Sequence, residues 1–264
     1  MLKKRLIFTL LFDDGNFMLS RNFKLQRVGD LDWLAKNYKF STIAFSIDEL
    51  VIIDVSRKSR DLTKFCKAIR DITNECFVPI TAGGGISNLE DASTILRSGA
   101  DKVLINSLFY ENPKEIEKIA NRFGNQSIVA SVDLKREENN YKVLIKNASA
   151  DIVHTAEEWI ERISCMRAGE LILNSINQDG TAQGLDLEML ELIKKDFSIP
   201  LILAGGAGHH NHLFQAFSDS RVDAVSTAHL FNFVGDGLSK CREGLILEGM
   251  SLAQWKDPNS LDLI

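Results

Sequence analysis

The chain has 264 residues, 45% hydrophobic and 25% charged, with four prolines and no shift in composition, so it can bury a full core as one domain and shows no linker. A net charge of −5 and a sequence pI near 5.6 exclude the basic stripe that nucleic acid or an anionic membrane demands, and favour neutral small-molecule or protein partners. No apolar run approaches a transmembrane span, and MLKKRLIFTLLF lacks a small-residue cleavage pattern and meets Asp13-Asp14 too early for a signal peptide, so the expected location is the cytoplasm.

In chain order, Arg5 to Phe12 reads as an apolar strand, followed by a loop (Asp13 to Asn22) long enough to be functional and a helix from Asp30 to about Ile43. Glu49 to Asp54 is a buried strand, and Arg60 to Asn74 a helix with Leu62, Phe65, Cys66, Ile69 and Ile72 on one face. The stretch Pro79 to Ser107 is one βαβ unit: a short strand (Pro79 to Ala82) runs into three glycines, Ser87-Asn88 caps a helix, and Ser98-Gly99 closes it before a second strand. A helix from Pro113 to Arg122, a strand Ser127 to Asp133, a hairpin arm Tyr141 to Ile145 and a helix Thr155 to Arg167 follow. The remainder reads as strand Leu171 to Ser175, loop Gln178 to Gly184, helix Asp186 to Lys195, strand Leu201 to Ala204, helix His210 to Ser218, strand Ala224 to Thr227, a last helix to about Gly249, and a tail over 250–264. Eight strands alternating with eight helices demand a parallel sheet covered by helices.

Glycines at a strand's C-terminal end let backbone N–H groups approach an anion closely. Gly84-Gly85 recurs as Gly205-Gly206 in LILAGGAG, 121 positions later, and the same shift lays Glu170-Leu171 on Glu49-Leu50. The halves are copies, each with one phosphate-type corner, and a half-chain repeat of four βα units favours closure into a single (β/α)8 TIM barrel. Site residues are then expected at strand C-terminal ends. Of these, Asp133 ends the apolar strand SIVASVD and can serve as general acid or base if burial tunes it, or can cap a loop. Asn106-Ser107 and Asp179-Gly180-Thr181 read equally as loop caps or phosphate ligands. The cysteines Cys66, Cys76, Cys165 and Cys241 form no CxxC pair and read as reduced packing thiols. His209, His210 and His212 lack an acidic ligand at helical spacing, so no metal is expected, and no cofactor is implied.

The segments RLIFTLLFDDG, DELVIIDV, PITAGGGI, SGADKVLINS, SIVASVDLKR, GELILNSINQDGT and PLILAGGAG together resemble the cyclase subunit of imidazole glycerol phosphate synthase, along essentially the whole chain. In that family a glutaminase subunit docks on the N-terminal face of the barrel to form a heterodimer. Ammonia passes through the barrel and is joined to a bis-phosphorylated ribulosyl intermediate of histidine synthesis. The resemblance implies a phosphorylated small-molecule ligand, with Gly84, Gly85, Asn106 and Ser107 lining one phosphate site and Asp179, Gly180, Gly205 and Gly206 the other. It also implies that Arg5, Glu49, Lys102 and Glu170 form a charged ring closing the ammonia passage, with Asp101 at the glutaminase contact.

The chain departs from the family where chemistry is expected. Leu11 and Leu19 stand where the family has a catalytic aspartate and a loop lysine, and His229 where it has a small hydroxyl residue; Asp133 alone is retained. Loss of one member of an acid/base pair removes ~10² to 10⁴-fold of rate. That pattern is similar to the family's paralogues among bacterial surface-glycan genes, the glycosyl-amidation-associated proteins, which work with a glutaminase and a separate sugar amidotransferase. The first expectation is therefore an ammonia-delivering barrel that does not cyclise. A working cyclase of histidine biosynthesis using Asp13 or Asp14 is the second, and the related single-chain isomerase, which needs no ammonia, the third.

Overall fold

A computed structural model describes residues 3–38, 43–138, 140–228 and 237–254. Eight parallel strands close on themselves in the order β1 (Arg5–Asp13), β4 (Glu49–Asp54), β5 (Ile80–Gly83), β6 (Lys102–Ile105), β7 (Ile128–Glu137), β10 (Glu170–Ser175), β11 (Leu201–Ala204) and β12 (Val222–Thr227). The last strand returns to the first through pairs such as Arg5 with Ala224 and Phe8 with Thr227. Helices lie between strands: α1 (Leu31–Tyr38), α2 (Leu62–Thr73), α3 (Leu89–Arg97), α4 (Ser107–Glu111), α5 (Pro113–Phe123), α6 (Ala156–Cys165), α7 (His210–Phe217) and α8 (Gly237–Leu247). The expected (β/α)8 barrel is the fold.

Strand alternation sorts β1 into two sets. Leu6, Phe8, Leu10 and Phe12 point outward into the large core beneath the helices, whereas Ile7 joins Val51, Leu104, Val129, Ile172 and Ile202 in a second cluster inside the barrel. Both sets are shielded from water, which explains why β1 from Leu6 to Phe12 is apolar except at Thr9 rather than alternating.

Two hairpins decorate the mouth, where the strands end. The segment expected as a loop after β1 is instead a ribbon of β2 (Asn16–Arg21) and β3 (Lys24–Asp30), because Asp14 and Gly15 both take positive φ, 45° and 88°, and turn the chain back onto β1. Asp-Gly is a two-residue hairpin signal whose twist matches the flanking strands. Helix α1 accordingly begins at Leu31. The second hairpin pairs the extension of β7 with β8 (Asn140–Ile145), which continues into β9 (Ala150–Asp151). The helix expected over Asp186 to Lys195 is only a 3-10 segment, Leu187–Leu192. Asp186 cannot cap it, since its carboxylate accepts from the Tyr141 hydroxyl at 2.9 Å and from Ser175 at 3.4 Å.

On the opposite face, Arg242 of α8 is 4% exposed and forks onto Asp48 at 2.7 and 2.9 Å. Asp48 in turn accepts from the Leu6 N–H. Close by, the Lys4 N–H donates to the Ser251 carbonyl at 2.7 Å, so the two described ends of the chain lie side by side where the strands begin. Residues 255–264 of the expected tail lie outside the described residues. Cys66, Cys76 and Cys241 are buried free thiols, and Cys165 is exposed and free.

Candidate functional site

Four charged side chains meet where the strands start. Arg5 reaches Glu49 at 3.1 Å and forks onto Glu170 at 3.1 Å, while Lys102 reaches Glu49 at 3.0 Å and Glu170 at 2.8 Å. The remaining oxygen of Glu49 accepts from Thr81 Oγ1 at 2.5 Å. Every oxygen of the two carboxylates is thus partnered, and two cations cancel two anions at the strand-start end of the barrel. The strand-start position of these residues in the sequence is what brings them together.

Above the ring comes the apolar interior cluster, then a layer of hydroxyls in which Thr9 and Ser226 share a hydrogen bond of 2.6 Å. The interior opens upward into a cavity of about 840 Å³ whose lining includes Thr9, Ser131, Ser226, Leu11, Leu19 and Asp133. Asp133 is gripped at both oxygens: Asn106 Nδ2 donates to Oδ2 and Asn174 Nδ2 to Oδ1, each at 2.9 Å. Burial pushes this carboxyl up to about 6, with Asn174 opposing the shift and Asp179 adding to it. That range lets it exchange a proton near neutral pH. Leu11 and Leu19 share the cavity with it and offer no proton. Asn106 Oδ1 is buried without a hydrogen-bond partner, so the amide has an acceptor to spare beside the carboxylate.

The β2–β3 ribbon lies across the mouth and is fastened to the loop after β10. Asp179 accepts from Ser20 Oγ at 2.5 Å and from the Phe23 N–H at 2.9 Å, and its carbonyl accepts from the Asn22 N–H. The Asn22 amide donates to the Ile176 and Asn177 carbonyls. Gly180 allows this approach: a Cβ there would stand 1.9 Å from the Ser20 carbonyl oxygen, and its φ is +68°. Burial raises the Asp179 carboxyl above the ordinary range, opposed by the bonds from Ser20 and Phe23. The carboxylate of Asp179 is therefore engaged by the ribbon. Ser20 was not among the residues the sequence singles out, and only the Asp14-Gly15 turn could have signalled that a ribbon would place it here.

Both glycine corners are tightly packed. Gly84 and Gly85 have φ of 105° and 71°, with Gly84 packed on the Asp54 backbone and the Arg60 guanidinium lying over Gly85. Gly205 and Gly206 also have positive φ; the Gly184 carbonyl lies 2.0 Å from where a Gly206 Cβ would stand, as the Asp54 carbonyl lies 2.1 Å from a Gly84 Cβ, and the Gly184 N–H donates to the Gly206 carbonyl. All four line the cavity with Asn106, Ser107, Asp179 and Gly180. Ser107 Oγ accepts from the Lys146 N–H.

Asp101 is exposed at the start of β6, and its carboxylate accepts from the Ile80 N–H at 2.8 Å, an anchoring role that also leaves it facing solvent. The His209 and His212 rings lie 3.7 Å apart at a tilt of 37°, and among the described residues no cluster of three or more ligating side chains could hold a metal. His229 lies outside the described residues. Among those described, no helix is long and apolar enough to cross a membrane.

Comparison with known proteins agrees with this architecture. Residues 21–235 match the family described as "Histidine biosynthesis protein". The chain is 46% identical, over 97% of its length and 95% of the relative, to a protein of Parasynechococcus marenigrum (strain WH8102) that carries the name imidazole glycerol phosphate synthase subunit hisF2. It is 37% identical to imidazole glycerol phosphate synthase subunit HisF of Bacillus cereus (strain G9842), over 88% of this chain and 92% of that one. The HisF of Bacillus cereus (strain Q1) is 36% identical over 92% and 97% of the two chains. With a closed eightfold barrel, a repeated glycine corner and relatives matched nearly end to end, the chain belongs to the histidine biosynthesis protein family, among the HisF subunits.

Proposed function

We propose that this protein is an ammonia-conducting subunit that receives ammonia from a glutaminase docked on the strand-start face and releases it at the mouth for amidation of a surface-glycan sugar, without cyclising a ribulosyl substrate. The observation that carries the reading is the pairing of a complete charged ring, Arg5, Glu49, Lys102 and Glu170, with a mouth in which Leu11 and Leu19 share the cavity with Asp133. Free ammonia in water at neutral pH is mostly protonated and not nucleophilic, so delivery needs a closed interior. The apolar layer above the ring admits a small neutral molecule and rejects ammonium, whose burial without a counterion is costly. The hydroxyls of Thr9 and Ser226 and the spare acceptor on Asn106 offer hydrogen bonds on the way out.

A working cyclase would need a second proton-exchanging group facing Asp133. Asp13 and Asp14 do not line the cavity, and Asp14 is spent on Lys64 at 2.7 Å at the surface. Supplied with ammonium and the bis-phosphorylated ribulosyl intermediate, the purified chain is expected to yield no imidazole glycerol phosphate above background. Turnover within about tenfold of an ordinary cyclase, a gap of about 1.4 kcal/mol in barrier, overturns the proposal.

A further inference from the structure

The acidic chain concentrates positive charge at one place. Arg21 and Lys24 face each other at the tip of the β2–β3 ribbon, and Arg57, Lys58 and Arg60 follow β4. All five are exposed and line the mouth cavity. The Arg57 guanidinium donates to the Phe23 carbonyl, which joins the ribbon tip to the loop after β4, and Arg60 lies against Gly85, where a Cβ would come within 2.1 Å of its Nη1. The five therefore form one arc ending at the first glycine corner. The overall charge favoured neutral small-molecule partners; the fold overrides that expectation locally by gathering residues from separate segments.

None of the five is in a salt bridge among the described residues, and the carboxylates of the cavity, Asp54 apart, are committed elsewhere. Asp133 holds Asn106 and Asn174, Asp179 holds the ribbon, and Glu111 pairs with Lys146. Asp54 accepts from the Ser56 N–H, is 3% exposed, and has Arg60 as its one charge partner in the arc. One buried carboxylate does not balance five gathered cations, which repel one another, and a bound anion relieves this. A single phosphate carries a charge of about −1.5 to −2, too little for five cations. Arg57 and Arg60, three positions apart, can each fork onto two phosphoryl oxygens.

The second corner shows none of this. The cavity wall contributed by β10 through β12 and their described loops holds no Lys or Arg. Since β5 and β11 stand third and seventh around an eight-stranded ring, the corners face each other across the mouth. A ligand with one phosphate at each end would place only one of them in the arc.

We propose that the mouth takes a diphosphate ester, with both phosphoryl groups held together on the side of Arg57, Arg60 and the Gly84-Gly85 corner, and the rest of the molecule reaching across Leu19 toward Asp133. This gives the proposed ammonia exit a ligand class, and rests on that reading only in treating the mouth as the place of transfer. The test is calorimetric titration of the full chain, without glutaminase or ammonia, using inorganic pyrophosphate, fructose 1,6-bisphosphate of similar charge, and orthophosphate. Pyrophosphate should bind at least tenfold more tightly than either. The double variant Arg57→Gln/Arg60→Gln, both positions exposed, should unfold like the wild type and lose at least tenfold in pyrophosphate affinity. Binding of the separated bisphosphate as tight as that of pyrophosphate, or pyrophosphate binding untouched by the double variant, overturns the proposal. Because no ammonia enters this titration, its failure leaves the delivery reading standing, and failure of delivery leaves the titration unaffected.

Discussion

Ser20 donates to Asp179 across 159 positions of sequence and, with the bonds of Asn22 and Phe23, fastens the first βα connection of the barrel to the sixth. The latch leaves the ribbon tip, with Arg21 and Lys24, fixed over the cavity. Replacement of Gly180 by Ala puts a methyl group 1.9 Å from the Ser20 carbonyl and forces a non-glycine residue to keep φ of +68°, a strain of about 1–2 kcal/mol before any clash. The ribbon should lift, and hydrogen exchange at Asn22 and Phe23 should accelerate at least tenfold while exchange in β10 stays slow. Unchanged protection at both amides would show that the ribbon holds without the latch.

The titration of Asp133 makes a second prediction. Its folded value of about 6 lies above the ordinary 3.8, so between these pH values the folded protein binds more protons than the unfolded chain. Stability from this group is therefore full below pH 4 and is lost as pH rises toward 6, by up to about 3 kcal/mol. Urea denaturation of wild type and Asp133→Asn over this range should show the wild type losing ground to the variant as pH rises. A difference independent of pH would mean that Asp133 titrates as an ordinary carboxyl.

The floor ring separates delivery from chemistry. Lys102→Ala leaves Glu49 and Glu170, 3% and 12% exposed at the side chain, to share Arg5 alone, which should cost about 3 kcal/mol. In a system reconstituted with glutaminase and amidotransferase, glutamine-driven amidation should fall several-fold while amidation from added ammonium persists. Equal loss of both would point to a misfolded barrel, and no loss of either would reduce the ring to structural charge.

The docking face supplies a fourth prediction. Phe77, in the connection from α2 to β5, is 81% exposed on the face where the strands begin. A large aromatic so placed is a candidate interface anchor, and truncating such an anchor costs about 2 kcal/mol or more. Phe77→Glu should weaken association with the glutaminase more than tenfold in calorimetry, with an unchanged melting temperature for the isolated barrel. Unaltered affinity would place the contact elsewhere on that face.

The barrel was legible in the sequence because short, largely apolar strands alternate with helices and the glycine corner repeats after 121 positions. The ring was legible through the family resemblance, since strand-start charge alone is also what meets solvent. What escaped was set by long-range geometry. Asp14-Gly15 is a hairpin signal, yet nothing in the ribbon itself says that it folds over the mouth rather than into solvent. Asp186 looks like a helix cap until Tyr141, 45 positions earlier, is found to occupy it. The positive arc has no trace in net charge, since Arg57 meets Phe23 only when the ribbon tip reaches the loop after β4.

The adjacency of Lys4 and Ser251 settles how the molecule can be held. A tether attached at Lys4 or Ser251 grips the underside beside Arg242 and Asp48, so a support-bound barrel presents its cavity outward and its floor inward. An immobilised sample should then bind small anions freely while a docking protein finds its landing area crowded, whereas a tether grafted into the β8 hairpin should reverse both outcomes.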